Sequence, residues 1–296
     1  MNILITGATG FIGGEIIKYF KEKNYKITIL TRDRKKVFDD YLDVFENIDE
    51  ISNESFFDII INLAGAPISK RWSDSYKIEL IESRVNVTKS IYKLISRLDK
   101  KPQKIISASA IGYYGNHGDD TIDESSSFNE GFTHDLCLAW ESEALKLKDF
   151  VSNVVIIRLG VVLGINKGIL KETLPVFKLG LGGKVGSGEQ YLSWVHVEDV
   201  VGAISFLIKN GDGVYNITSP NPVKNKLWAE ILGKTLKRPS LIPLPEIIIK
   251  VAFGEMGENL LLSGQKVLPN KIVSEGFKFK YSKLEDALCD IINDEK

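Results

Sequence analysis

Apolar positions along the chain alternate between short β-branched runs and longer stretches of helical period. Ile3, Leu4 and Ile5 lead through Thr6 to glycines at 7, 10 and 13, and Ile12, Ile16, Ile17 and Phe20 then recur at helical spacing. This predicts a strand, a tight turn and a helix. Lys26 to Leu30 (KITIL) reads as a second strand, and a weak one falls near Phe45 to Ile51 within residues 37 to 57. Phe57 to Leu63 (FDIIINL) is a continuous apolar run suited to a strand buried on both faces. A helical pattern from Trp72 to Leu98 follows, then a strand from Lys104 to Ser107 that runs on as SASAIGYYG to Gly115. A helix from about Thr133 to Lys148 and a strand from Val154 to Leu159 complete the series. Strands that alternate with helices in this way predict an α/β fold of the Rossmann type, a doubly wound parallel sheet.

The stretch MNILITGATGFIGG carries the first chemistry. A turn between strand and helix needs backbone angles that a Cβ disfavours, and a pyrophosphate must come close to the main chain. The helix that follows offers unpaired N–H groups and the positive end of its dipole. Gly7, Thr9, Gly10, Phe11, Ile12 and Gly13 are therefore assigned to a dinucleotide, the alternative being an ordinary turn with packing glycines. At the end of the second strand an acidic residue would bind a ribose 2′-hydroxyl, whereas Thr31 and Arg32 offer a hydroxyl and a guanidinium to a 2′-phosphate. That favours NADP (NADPH) over NAD, with a solvated basic turn through Lys36 as the alternative and Asp33 as the one contrary residue. Leu63 and Ala64, at the next strand's end, are candidate cofactor contacts.

Ser107 and Ser109 alternate on one side of a strand end where open parallel sheets bind ligands. Ser109 is the candidate to hydrogen-bond a substrate oxygen, and Tyr113 and Tyr114 follow within reach, with packing as their other reading. Glu79 and Arg84 on the preceding helix could meet a ribose and a phosphate, or be solvated charges.

The composition narrows the picture. The 296 residues are 44% hydrophobic, with 38 basic against 39 acidic, so there is no basic footprint for nucleic acid. Cys137 and Cys289 form no CxxC pair and fit reduced thiols in a cytoplasm. With a strand starting at once, no export leader is expected. The most apolar late stretch, Ile242 to Phe253, is interrupted by Pro243, Pro245, Glu246 and Lys250, so no membrane insertion is expected either. His117, His134 and His196 are isolated, and no spacing suggests a metal site. Gly180, Gly182, Gly183, Gly186 and Gly188 make a loop that either closes over a substrate or is a plain connection. Trp194 to Val200 returns to the first unit, Tyr215 to Thr218 reads as another strand, and helices follow near Lys224 to Leu236 and Leu284 to Ile292. The expected division is a cofactor domain over 1–165, with 194–212 returning to it, and a smaller interleaved substrate lobe over 166–296.

With TGATGFIGG, NLAGAP, SASAIGYYG, the IRLG of residues 157–160 and WVHVEDV in place, the chain resembles an extended short-chain dehydrogenase/reductase, the group of sugar-nucleotide epimerases and dehydratases. That resemblance implies hydride transfer supported by a Ser, a Tyr and a Lys four residues after the Tyr. The helix that should carry the pair, THDLCLAWESEALKLK, has no tyrosine: the Tyr position is Leu136 or Cys137, and the Lys position Trp140 or Glu141. Arg71-Trp72, Ser83-Arg84, the CxxWE run from Cys137 to Glu141, LGLGGKVGSGEQ, Gly254-Glu255, SGQKVLP and GFKFKY are similar to a narrower group, the atypical NADP-binding epimerase family proteins. This likeness implies that Thr31-Arg32, Leu63-Ala64, Glu79, Arg84 and Arg158 line the NADP site. It implies no substrate. An oxidoreductase or epimerase-like enzyme on a small carbonyl or sugar-like substrate is expected, with a non-catalytic NADP(H) sensor as the rival and a homo-oligomer open.

Overall fold

The computed structural model describes residues 1–37, 42–165 and 167–293. Seven parallel strands form its central sheet: β1 (Asn2–Thr6), β2 (Lys26–Leu30), β3 (Asp43–Phe45), β4 (Ile59–Asn62), β5 (Lys104–Ala110), β6 (Asn153–Leu159) and β7 (Gly213–Ile217). Their order is β7-β6-β5-β4-β1-β2-β3. The order reverses beside β1, where Thr6 stands opposite Leu30 on one side and Asn62 on the other. A crevice opens at that reversal beyond the strands' carboxyl ends. This is the Rossmann-type α/β fold expected from the sequence.

The strands are apolar on both faces because helices cover both. On one face α1 (Phe11–Glu22) lies beside α5 (Val197–Asn210), and Ile16, Phe20, Ile204 and Leu207 join Ile3 and Ile5 in one core. On the other, α2 (Asp74–Arg97) lies beside α3 (Phe132–Leu145), and Ile91, Leu94 and Ala144 pack with Leu4, Ile60 and Ile105. A third core joins α4 (Gly168–Lys178), α6 (Asn225–Leu236) and α10 (Leu284–Asn293) through Leu174, Trp228 and Leu288. Between α6 and α10 the chain forms the short helices α7 (Glu246–Phe253), α8 (Glu255–Leu260) and α9 (Asn270–Ser274).

Several expectations need correction. The weak strand ends at Phe45 rather than reaching Ile51, because the Asn47 side chain accepts from the Asp49 N–H and starts a 3₁₀ turn at Ile48–Glu50. Residues 38–41 of that unclear stretch lie outside the described residues, as does Asn166. The helix expected to reach Lys148 is α-helical only to Leu145 and finishes as a 3₁₀ turn. The returning segment does not stop at 212: β7 pairs in parallel with β6 and fills the edge that β6 would otherwise leave open. The glycine-rich loop is laced to the proline-punctuated run, with the Ile242 N–H donating to the Gly182 carbonyl and the Leu244 N–H to that of Lys184. No helix among the described residues is long and apolar enough to cross a membrane.

Candidate functional site

The crevice begins at the N-terminus of α1. Gly10 caps this helix without any side-chain hydrogen bond, and its first turn holds no acidic residue. The positive helix end and its N–H groups are thus left for an anion. Two glycines are obligatory. Gly7 has φ +72, and a Cβ there would lie 2.7 Å from the Leu63 carbonyl; at Gly13 it would lie 2.4 Å from the Gly7 carbonyl oxygen. Thr9 and Gly10 are exposed and Ile12 half-buried. Phe11 is half-buried, and its ring packs on Gly164. Leu63 and Ala64, half-buried at the end of β4, stand against Gly7.

At the end of β2, Asp33 accepts from the Lys35 N–H and so starts a 3₁₀ turn over Arg34–Lys36. The contrary acidic residue is therefore partly used as a cap. Arg32 is exposed, and no described residue engages its guanidinium. Thr31 is half-buried. An uncapped helix end and a guanidinium in place of a ribose-binding carboxylate fit a dinucleotide that carries a further phosphate.

Beneath the crevice lies a polar network that the sequence reading missed. The Thr6 hydroxyl donates to Asn62 Oδ1 at 2.6 Å, and Asn62 Nδ2 donates to Thr88 Oγ1 at 3.0 Å and Ser107 Oγ at 3.3 Å. All four residues are buried, and they tie β1, β4, β5 and α2 together at the strand ends. Ser107 is thus a strut. A lone Asn closing an apolar strand was the available signal, since a buried amide needs partners.

Ser109, β5 and α3 define the second half of the site. The Ser109 hydroxyl donates to Glu141 Oε1 at 2.6 Å, and the same carboxylate receives Nε and Nη2 of Arg158, each at 2.8 Å. Burial works against the Arg158 charge, but the Glu141 carboxylate overrides it and leaves that pKa raised. The guanidinium lies 3.3 Å from the Tyr113 ring centroid. Arg158 is therefore buried and held by Glu141 and Tyr113. Ser109 is 1% exposed, and its hydroxyl hydrogen is engaged by Glu141, where the sequence reading expected it to face a substrate oxygen. Tyr114 is fully buried and donates to Asn216 Oδ1 at 2.8 Å, so it belongs to the core; burial pushes its phenol up. Tyr113 is half-buried, and no described residue claims its hydroxyl.

The register on α3 is resolved. Glu141 meets Ser109 and the Cys137 thiol lies 3.6 Å from the Ala110 carbonyl, so these two face the strand end, with half-buried Thr133 one turn earlier against Gly112. Leu136 instead packs with Leu80 and Trp72. Trp140 lies 5.1 Å from the Arg84 guanidinium, on the side toward α2. Burial, and then Glu141, push the Cys137 thiol up to about 11. Native protein treated with iodoacetamide at neutral pH is expected to alkylate exposed Cys289 only, with Cys137 joining after denaturation. Mass spectrometry of the two digests checks this, and native labelling of Cys137 would refute the burial.

Arg84 is 9% exposed, and its Nη1 and Nη2 donate to the carbonyls of Leu80 and Ala66 at 2.8 and 3.1 Å. Burial lowers its pKa. It holds the loop after β4 rather than reaching outward, while Glu79 on the same helix is exposed. His196 caps α5, its Nδ1 accepting from the Glu198 N–H. One ligand atom each from His196, Glu198 and Asp290 fall within 4.8 Å of one another, but His196 Nε2 faces Asp290 at 3.4 Å and Lys280 takes Glu198 at 2.6 Å. These groups are engaged as a fastening between α5 and α10.

Comparison with known proteins adds the family. A family model described as the NAD dependent epimerase/dehydratase family matches residues 3–218. The chain belongs to the NAD-dependent epimerase/dehydratase family. A second model, for a domain of unknown function, matches residues 244–291. Among curated relatives of this family, the chain is 39% identical to the chloroplastic epimerase family protein SDR39U1 homolog of Arabidopsis thaliana, over 97% of this chain and 86% of that one. It is 35% identical to the epimerase family protein YfhF of Bacillus subtilis, over 100% and 99%. Among solved structures, human epimerase family protein SDR39U1 (isoform 2), determined with NADPH, superposes with a TM-score of 0.91 at 30% identity, covering 99% of both chains. The expected likeness to the epimerase family proteins is thus found over the whole length.

Proposed function

We propose that this protein binds NADP(H) and acts as an oxidoreductase or epimerase-like enzyme on a small carbonyl or sugar-like substrate. The uncapped N-terminus of α1, with Arg32 beyond β2 engaged by no described residue, carries the reading: one receives the pyrophosphate and the other the 2′-phosphate. The human relative solved with NADPH supports the same choice. When bound, the cofactor supplies or accepts the hydride. The residues of this chain orient the reacting carbon beside the end of β5, and reduction places a proton on the new alcohol oxygen. Since Ser109 and Tyr114 have committed their hydroxyl protons to Glu141 and Asn216, that proton comes from Tyr113 or from water.

The same commitments favour a second reading, an NADP(H)-binding protein that reports occupancy without turning over. Parallel fluorescence titrations with NADPH and NADH, followed by nicotinamide absorbance against a panel of carbonyl compounds, separate the two. NADPH is expected to bind at least about tenfold tighter than NADH, about 1.4 kcal/mol, and Arg32→Ala to erase the difference. Carbonyl-dependent oxidation of NADPH establishes the enzyme, and tight binding without oxidation establishes the sensor. Equal affinities in the wild type would remove the assignment of Arg32.

A further inference from the structure

Helix α7 turns its most apolar stripe to water. Of EIIIKVAF only Ile249 is buried, against Gly257 of α8, whereas Ile247 and Val251, one turn apart, are 72% and 71% exposed. Ile248 beside them is 48% exposed, and Leu241, in the run that leads into the helix, 83%. A second segment lies alongside: Arg238 Nε donates to the Lys178 carbonyl at 2.9 Å, and the lacing of 242–244 to 182–184 continues the contact. It contributes Leu179 and Leu181, both exposed. Single exposed aliphatics are ordinary, but a contiguous set marks an interaction surface.

The charge around this face decides what covers it. Residues 176–184 and 237–253 hold Lys178, Lys184, Lys237, Arg238 and Lys250 against Glu246 alone, five basic and one acidic, in a chain whose net charge is -1. All six are exposed. A two-fold contact of the face with a second copy would set like charges against each other. A surface that is apolar within and anionic at its boundary matches both features. We infer that this face docks the protein onto an anionic lipid bilayer. The aliphatic side chains enter the acyl boundary and the lysine and arginine heads remain at headgroup level. With no spanning helix among the described residues, the attachment is adsorption to one leaflet.

Co-sedimentation of the full chain with phosphatidylcholine vesicles, with and without phosphatidylglycerol, tests the inference. The protein is expected to pellet with the anionic vesicles and stay in solution with the neutral ones. Raising salt from about 0.1 M to about 1 M, which shortens the screening length from about 10 to about 3 Å, is expected to release it. The Ile247→Ser/Val251→Ser variant is expected to lose at least about tenfold in partitioning, with its far-UV spectrum and thermal midpoint unchanged because both side chains are exposed. Val273→Ser on α9, 45% exposed, is expected to bind as the wild type does. Failure to pellet with anionic vesicles, equal pelleting with neutral ones, or wild-type binding by the serine variant overturns the inference. So does a dimer in sedimentation equilibrium that the same variant dissociates, since a second copy would then cover the face.

Discussion

Glu141→Ala is expected to lower the folding free energy by about 3–5 kcal/mol, because it strands the Arg158 guanidinium, 5% exposed, without its carboxylate. Three hydrogen bonds end on that carboxylate, two from Arg158 and one from Ser109. Urea denaturation gives the number directly as a fall in the midpoint at constant slope. Replacing both partners, as Glu141→Leu with Arg158→Met, is expected to recover most of the loss, since an apolar pair leaves no buried charge behind. If Glu141→Ala unfolds at the wild-type midpoint, the carboxylate does not hold Arg158 in solution and the account of the second half of the site fails.

Gly13→Val is expected to abolish measurable NADPH binding, a loss of at least about 100-fold or about 2.8 kcal/mol. A Cβ at position 13 lies 2.4 Å from the Gly7 carbonyl oxygen and 2.7 Å from Ala8 Cα, so the turn must move before any pyrophosphate can reach it. The fold itself should survive with a loss of about 1–3 kcal/mol, the usual cost of overpacking. Gly14→Ala is the internal control: a Cβ there meets nothing within 4 Å, and the same helix should bind NADPH unchanged. Equal titration curves for Gly13→Val and the wild type would mean that the turn is not the cofactor's seat.

The strand-turn-helix opening and the parallel sheet were legible because their signals are local. Buried strands need apolar runs, as in residues 57–63, and an approach too close for a Cβ needs glycine, as at 7 and 13. What was not legible depended on partners far along the chain. Ser109 read as a free donor because Glu141 lies 32 residues away on α3, and only the folded register shows that the two meet. Tyr114 looked available because its partner Asn216 lies 102 residues on. Arg84 was legible only through the family likeness, which implies a cofactor contact; that its terminal nitrogens hold the carbonyls of Leu80 and Ala66 shows only in the fold. The extent of β7 was missed for a related reason: a short apolar run does not say which sheet edge it joins.

The place of α5 and β7 in the nucleotide sheet has a consequence for how the chain is made. α1 packs against α5, whose residues begin at Val197, and β6 stays an open edge until Gly213–Ile217 emerges. A nascent chain that has left the ribosome only as far as residue 165 carries the whole phosphate loop, but neither the neighbour of α1 nor the last strand. Such long-range closures slow folding and lengthen the time for which strand edges stand exposed. The residues that would grip the cofactor are made well before α5 and β7, and they reach their working environment only once Gly213–Ile217 has joined the sheet.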